Sequence, residues 1–221
     1  MKKNIYAFAG DFYHNKDNLE VALTKAAQKG DFIIHTKDLT DKEVADALKQ
    51  QPDVIVIGGE DRISPESDPT NTWLTPETDK ALETYVKEGG GLMVVHSGLA
   101  SYPSDSYYRY MTKGHFIAHP PEHVMVRYHS VDIAGMDKGG FYYDFAVLDE
   151  FYQLAVDESE THVFLQSDTE EFGKGFGGWC HNYGKGKVIC IVPTHNGAGL
   201  ADENTINLYQ ESMNFVARSE T

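Results

Sequence analysis

Four short apolar runs separated by three helix signals fill the first hundred residues. Ile5–Ala9, Asp31–Thr36, Asp53–Ile57 and Leu92–Val95 read as strands. Asn18–Lys29 carries Leu19, Leu23, Ala26 and Ala27 on one helical face and is closed by Gly30. Thr40-Asp41-Lys42-Glu43 is a capping box ahead of Val44, Ala45 and Leu48, and Thr75-Pro76 opens a helix that Gly89-Gly90-Gly91 ends. Parallel neighbours need crossover helices, so this order implies an α/β fold with a parallel sheet covered on both faces. In such sheets sites form beyond the carboxyl ends of strands, which directs attention to Gly10–Lys16, Gly58–Asp61 and His96–Gly98.

The second half changes period. Val124, Val126 and Tyr128 alternate with polar residues, as do runs near Val147–Leu154 and His162–Gln166, so an antiparallel extension is expected. Trp179–Tyr183 and Lys187–Val192 flank Gly184-Lys185-Gly186 as a hairpin, and Asn204–Ala217 closes the chain as a helix. Ser64–Asn71, rich in Pro, Ser and Asp, reads as a loop. No repeat or linker divides the sequence, so one domain over 1–221 is expected.

With 221 residues, 41% of them hydrophobic, the chain can bury a large core without disulfides. Its 19 Lys+Arg against 34 Asp+Glu give a formal charge of −15, which repels polyanions. Nucleic acid and anionic membrane surfaces are therefore poor partners. The apolar start after Met1-Lys2-Lys3 stops at Gly10-Asp11, too short for a secretion signal, and no stretch approaches a membrane span. Cys180 and Cys190 are then expected as reduced thiols in a cytoplasmic protein, and a homodimer is the expected assembly.

No phosphate-binding loop of the G-x-x-x-x-G-K-[ST] type is present, and the glycines of 173–178 precede a strand where a dinucleotide site needs a strand-to-helix turn. The sharpest feature is Val94-Val95-His96-Ser97-Gly98. A strand that turns abruptly into a helix lifts the residue at the turn to the crest of the sheet. Here that residue is His96, fit for acid–base work or metal ligation, or else a strand-end imidazole bound to backbone. Ser97 follows one residue past the crest. His195 occupies the equivalent place after Val188–Val192, so both histidines project towards one rim. Asp149-Glu150 supplies carboxylates that burial beside histidine would tune or make a third metal ligand, or else forms a solvated acidic turn. His115, His119 and His123 recur every four residues, and Pro120-Pro121 leaves only the first two able to share a helical face.

Taken together, Gly89–Ser97, Gly114–Pro120, Asp149–Tyr152, Tyr183–Val188 and the strand-end His195 resemble the ThuA family, named for trehalose utilisation, in the right order over nearly the whole chain. The resemblance implies a flavodoxin-like three-layer sandwich akin to class I glutamine amidotransferases. In those enzymes the elbow residue is Cys; here it is His96, and neither Cys180 nor Cys190 lies where it could replace it, so glutamine amidotransfer is not expected. The family's association with sugar catabolism implies an isomerase, hydrolase or lyase acting on a neutral sugar or keto-sugar. The sequence departs from the family at His115, where Gly is common, and at His129-Ser130-Val131, where His-Pro-Ile is common.

His96, Glu150 and His195 are the expected catalytic residues, and the same three are the expected ligands if Zn²⁺ is bound; no other cofactor is evident. His119, Tyr152, Ser97 and Asp149 are the expected substrate contacts, with Trp73, Tyr102 and Tyr152 as candidate faces for a sugar ring. The alternative is a sugar-binding or assembly protein that keeps the fold without turnover. Eight of the 34 carboxylates lie between Asp149 and Glu171 with no Lys or Arg among them, which suits a neutral sugar or a cation better than a phosphorylated substrate.

Overall fold

The structure is a computed structural model that describes residues 2–131 and 142–218. The alternating first part folds as β1 (Lys3–Ala9), α1 (Lys16–Gln28), β2 (Phe32–Asp38), α2 (Asp41–Leu48) and β3 (Val54–Gly58). An exposed hairpin, β4 (Arg62–Ser64) and β5 (Asp68–Thr72), precedes α3 (Pro76–Lys87) and β6 (Gly91–Val95). A short 3₁₀ turn (His96–Leu99) and α4 (Tyr107–Thr112) lead into β7 (Gly114–Ala118) and β8 (Val124–Ser130). The chain continues through β9 (Asp144–Asp149), β10 (Gln153–Val156), β11 (His162–Thr169), β12 (Gly173–Tyr183) and β13 (Gly186–Ile191), then α5 (Gly197–Leu200) and α6 (Glu203–Val216).

Nine strands form one sheet in the order β2-β1-β3-β6-β13-β12-β11-β8-β9. The first five are parallel, in the flavodoxin-like order that reverses direction between β1 and β3. The remaining strands pair antiparallel, as the alternating second half leads one to expect. α1 packs with α6 and α2 with α3, giving the layers of the expected sandwich. β3 and β6 are buried throughout, which fits their unbroken apolar runs, since strands covered on both faces have no solvent side. Each fully buried Val, Ile or Leu there contributes roughly 1.5–3 kcal/mol.

Four expectations change. The Ser64–Asn71 loop is largely the β4–β5 hairpin. The stretch Val147–Leu154 is two strands belonging to different sheets, broken at Glu150-Phe151-Tyr152, because β9 pairs with β8 while β10 pairs with β7. Gly114–Ala118 is a strand rather than a helix, so the four-residue histidine spacing does not stack His115 on His119. Phe116 and Leu154 pair across the β7–β10 ribbon, and this packing decides the conformation. Trp73 and Tyr102, offered as sugar platforms, are buried core residues joined by a 3.2 Å hydrogen bond from the indole to the phenol.

Two results should follow. A Cβ on Gly186 would lie 2.2 Å from the Val86 carbonyl and 2.3 Å from that of Gly90, both backbone atoms. Gly186→Ala should therefore cost at least about 1–3 kcal/mol in urea unfolding, and a change below roughly 0.5 kcal/mol would show that the β12–β13 turn is looser than described. His181 is buried between Thr161 Oγ1 and the Met111 carbonyl, each at 2.9 Å, and burial pushes its pKa down to about 4. Because the folded pKa lies below the unfolded one, its contribution is fully present above about pH 6.5 and is lost as pH falls towards 4. Between pH 7 and 5 it should account for about 2 kcal/mol of lost stability. His181→Asn should flatten that part of the pH–stability curve; an unchanged slope would assign the loss to other groups.

Candidate functional site

Four chain segments end at one rim of the sheet. After β1, Gly10 turns with φ +92, and Asp11 takes over the loop. Its Oδ1 accepts the backbone N–H groups of Tyr13 and His14 at 2.8 and 2.9 Å and the His14 Nδ1–H at 2.7 Å. Its Oδ2 accepts Glu60 N–H at 2.9 Å, which ties the ends of β1 and β3 together. Burial would raise the Asp11 pKa, but the bond and charge of His14 together with the Glu60 amide outweigh it and hold the carboxyl at about 2. A carboxylate on Nδ1 fixes the imidazole of His14 with Nε2 facing inward. Burial also pushes the His14 pKa down.

After β6 the chain turns at His96 with φ 47, the left-handed region that costs a non-glycine residue roughly 1–2 kcal/mol. The abrupt elbow read from Val95-His96-Ser97 is thus present, and local strain is the cost of holding the side chain over the sheet. His96 Nδ1–H donates to the Val192 carbonyl at 2.8 Å, so the backbone-bound alternative for this histidine also holds, for one nitrogen. The other, Nε2, lies 3.3 Å from Glu150 Oε2. Tyr152 stacks on the ring at 4.2 Å between centroids.

After β13 the chain reaches His195 through a cis Pro193–Thr194 peptide. The His195 backbone N–H donates to Asp149 Oδ1 at 2.7 Å, and its Nδ1 lies 3.0 Å from His14 Nε2 and 3.2 Å from Glu150 Oε2. The hydrogen bond and charge of Glu150 raise the His195 pKa, while His195 lowers that of Glu150 against its burial. The outer oxygen of Glu150, Oε1, faces His119 Nε2 at 3.7 Å and His123 Nε2 at 3.8 Å. One carboxylate therefore has two histidines on each oxygen.

The expected trio His96, Glu150 and His195 comes together at this rim, with His119 and Tyr152 beside it. Ser97 is buried and lines the same small cavity, of about 20 Å³, as His14, His96 and His195. Asp149 is 0% exposed, with Oδ1 on the His195 amide and Oδ2 accepting the Tyr128 hydroxyl at 2.8 Å. It holds the site's frame from beneath. His14, Asp11 and His123 were not assigned roles from the sequence. His14 and Asp11 lie in the Gly10–Lys16 loop that the strand-end rule marked, three residues apart, and this was the available signal. His115 lines a separate groove with Arg109 and Lys113. Among the described residues His14, His96, Glu150 and His195 are a group whose ligand atoms all lie within 4.8 Å of one another.

No helix among the described residues is long and apolar enough to cross a membrane. A ThuA-like protein from Parabacteroides merdae superposes with a TM-score of 0.76 at 11% identity, covering 100% of this chain and 93% of its own. One from Bacteroides uniformis gives 0.66 at 16%, covering 96% and 89%. A β-galactosidase from Bacillus circulans gives 0.64 at 11%, covering 96% of this chain but 31% of its own, so the same fold also occurs as part of a larger chain. No curated protein matches the sequence. The profile of a family described as trehalose utilisation matches residues 4–216, and the chain belongs to that family, ThuA.

Proposed function

We propose that this protein is an enzyme of carbohydrate catabolism that moves a proton next to the carbonyl of a neutral sugar or keto-sugar. The carrying observation is the double use of Glu150, with His96 and His195 on one oxygen and His119 and His123 on the other. Imidazole exchanges protons near neutral pH, so the partly exposed outer pair is suited to take a proton from substrate and return it. The partly buried His195, whose positive charge Glu150 favours, is suited to stabilise the negative charge that develops on a substrate oxygen when the proton leaves. The family's description as trehalose utilisation supports the substrate class.

A groove of about 340 Å³ supports it further. It runs from Gly10 and Asp11 past Phe12 to Arg62, and shares Gly10 with the cavity under the histidines. That volume is of the size pockets offer small molecules. Phe12, 52% exposed, provides an apolar ring face in it, while Lys16, Asp38, Glu60 and Arg62 offer hydroxyl partners. The acidic surround disfavours a phosphorylated sugar.

A panel of disaccharides and their keto derivatives should contain at least one that the wild-type protein turns over. His96→Ala should lower kcat/KM for it by at least about 100-fold while circular dichroism stays native. Full activity in the variant would overturn the assignment of the site, and sugars that raise the melting temperature without being turned over would replace the enzyme by a binding protein.

A further inference from the structure

We infer that His14 Nε2, His96 Nε2, His195 Nδ1 and Glu150 Oε2 form a binding site for one divalent transition-metal ion, with zinc as the probe. The first argument is which nitrogens carry protons. A carboxylate and a carbonyl oxygen only accept, so His14 Nδ1 must donate to Asp11 and His96 Nδ1 to Val192. A neutral imidazole with Nδ1–H presents a lone pair at Nε2. Two such lone pairs, the His195 Nδ1 position and a carboxylate oxygen therefore face one another across a buried gap. A proton on His195 Nδ1 can serve one of these acceptors at a time. A single cation serves all of them.

The second argument is spacing. The separations of 3.0 Å (His14–His195), 3.2 Å (His195–Glu150) and 3.3 Å (His96–Glu150) are those of neighbouring ligands around one ion. A tetrahedral zinc with bonds of ~2.0–2.1 Å sets its ligand atoms roughly 3.3 Å apart. The adjoining cavity of about 20 Å³ has room for an ion or a water. Each ligand is also held from behind: His14 by Asp11, His96 by Val192 and Tyr152, His195 through its amide by Asp149. Ligating histidines are oriented in this way by the partner of their second nitrogen.

The donor set, three imidazoles and one carboxylate without thiolate, suits zinc or its first-row neighbours and is unsuited to magnesium or calcium. On expanding to five-coordination such an ion would polarise the substrate oxygen at the inner face of Glu150, leaving proton movement to His119 and His123. This deepens the carbohydrate reading and rests on it for the reaction, but the binding itself does not.

The test is isothermal titration of chelator-stripped protein with ZnCl₂, paired with elemental analysis after dialysis. One zinc per chain is expected, with no uptake of magnesium. His14→Ala and His96→Ala should each weaken binding by at least about 100-fold, and Asp11→Asn, which keeps all four ligands, by about 10–100-fold. His129→Ala, at the separate His129–Asp168 pair, should leave affinity unchanged. Failure to bind stoichiometric zinc, or wild-type affinity in His14→Ala and His96→Ala, would overturn the site. Stoichiometric zinc with no sugar turned over removes the carbohydrate reading and keeps the site; sugar turnover by protein that takes up no zinc in the titration does the reverse.

Discussion

The Asp149 carboxylate joins two parts of the molecule that a flat sheet would keep apart. β9 is the edge strand, four positions from β13 in the sheet order, which at ~4.8 Å per strand is roughly 19 Å. Yet Asp149, at the end of β9, accepts the amide of His195 just beyond β13 at 2.7 Å. Asn196 Nδ2 reinforces the closure by donating to the Leu148 carbonyl at 2.6 Å. The antiparallel extension must therefore curl back over the carboxyl ends of the parallel strands, as a strongly twisted sheet can. Burial raises the Asp149 pKa, and the His195 amide and Tyr128 hydroxyl offset that cost.

Glu150 follows directly from this closure. The chain leaves the β9 ladder at Asp149 and enters β10 at Gln153, and the short break between them sets Glu150 over the rim. Parallel-strand ends supply what it meets: His14 by way of the Asp11 loop, His96 by way of a strained elbow, His195 by way of β13. Both strain at His96 and burial of so many polar groups oppose folding, and the hydrogen bonds to Asp11, Val192 and Asp149 compensate them. The proposed chemistry accounts for a site assembled at this cost from four segments.

The parallel half was legible because its signals are local. Apolar runs, caps and glycine stops at Gly30 and Gly89–Gly91 define strands and crossovers without knowledge of distant contacts. Those strand ends then marked His96, His195 and the Gly10–Lys16 loop. His14 escaped assignment because its meaning depends on Asp11 holding Nδ1 and on His195 approaching from 181 residues away. The curl of the extension was equally hidden, since nothing in the alternation of β8 or β9 says how far a sheet bends. The His115–His119–His123 spacing misled for a different reason: pairing of β7 with β10 overrides a helical period, and His119 and His123 then reach Glu150 from the loop that follows. Trp73 and Tyr102 show the limit of reading aromatics as ligand platforms, because burial turned both into core.

His14 and His96 are locked with their Nε2 lone pairs turned inward, because Nδ1 donates to Asp11 in one and to Val192 in the other. Long-range ¹H–¹⁵N correlation of the imidazole nitrogens in metal-free protein reads this directly. His14 and His96 should each show Nδ1–H with an unprotonated Nε2, and zinc should then shift those two Nε2 signals together with His195 Nδ1. Protonated Nε2 at His14 and His96 in the neutral rings, with no response to zinc, would contradict it.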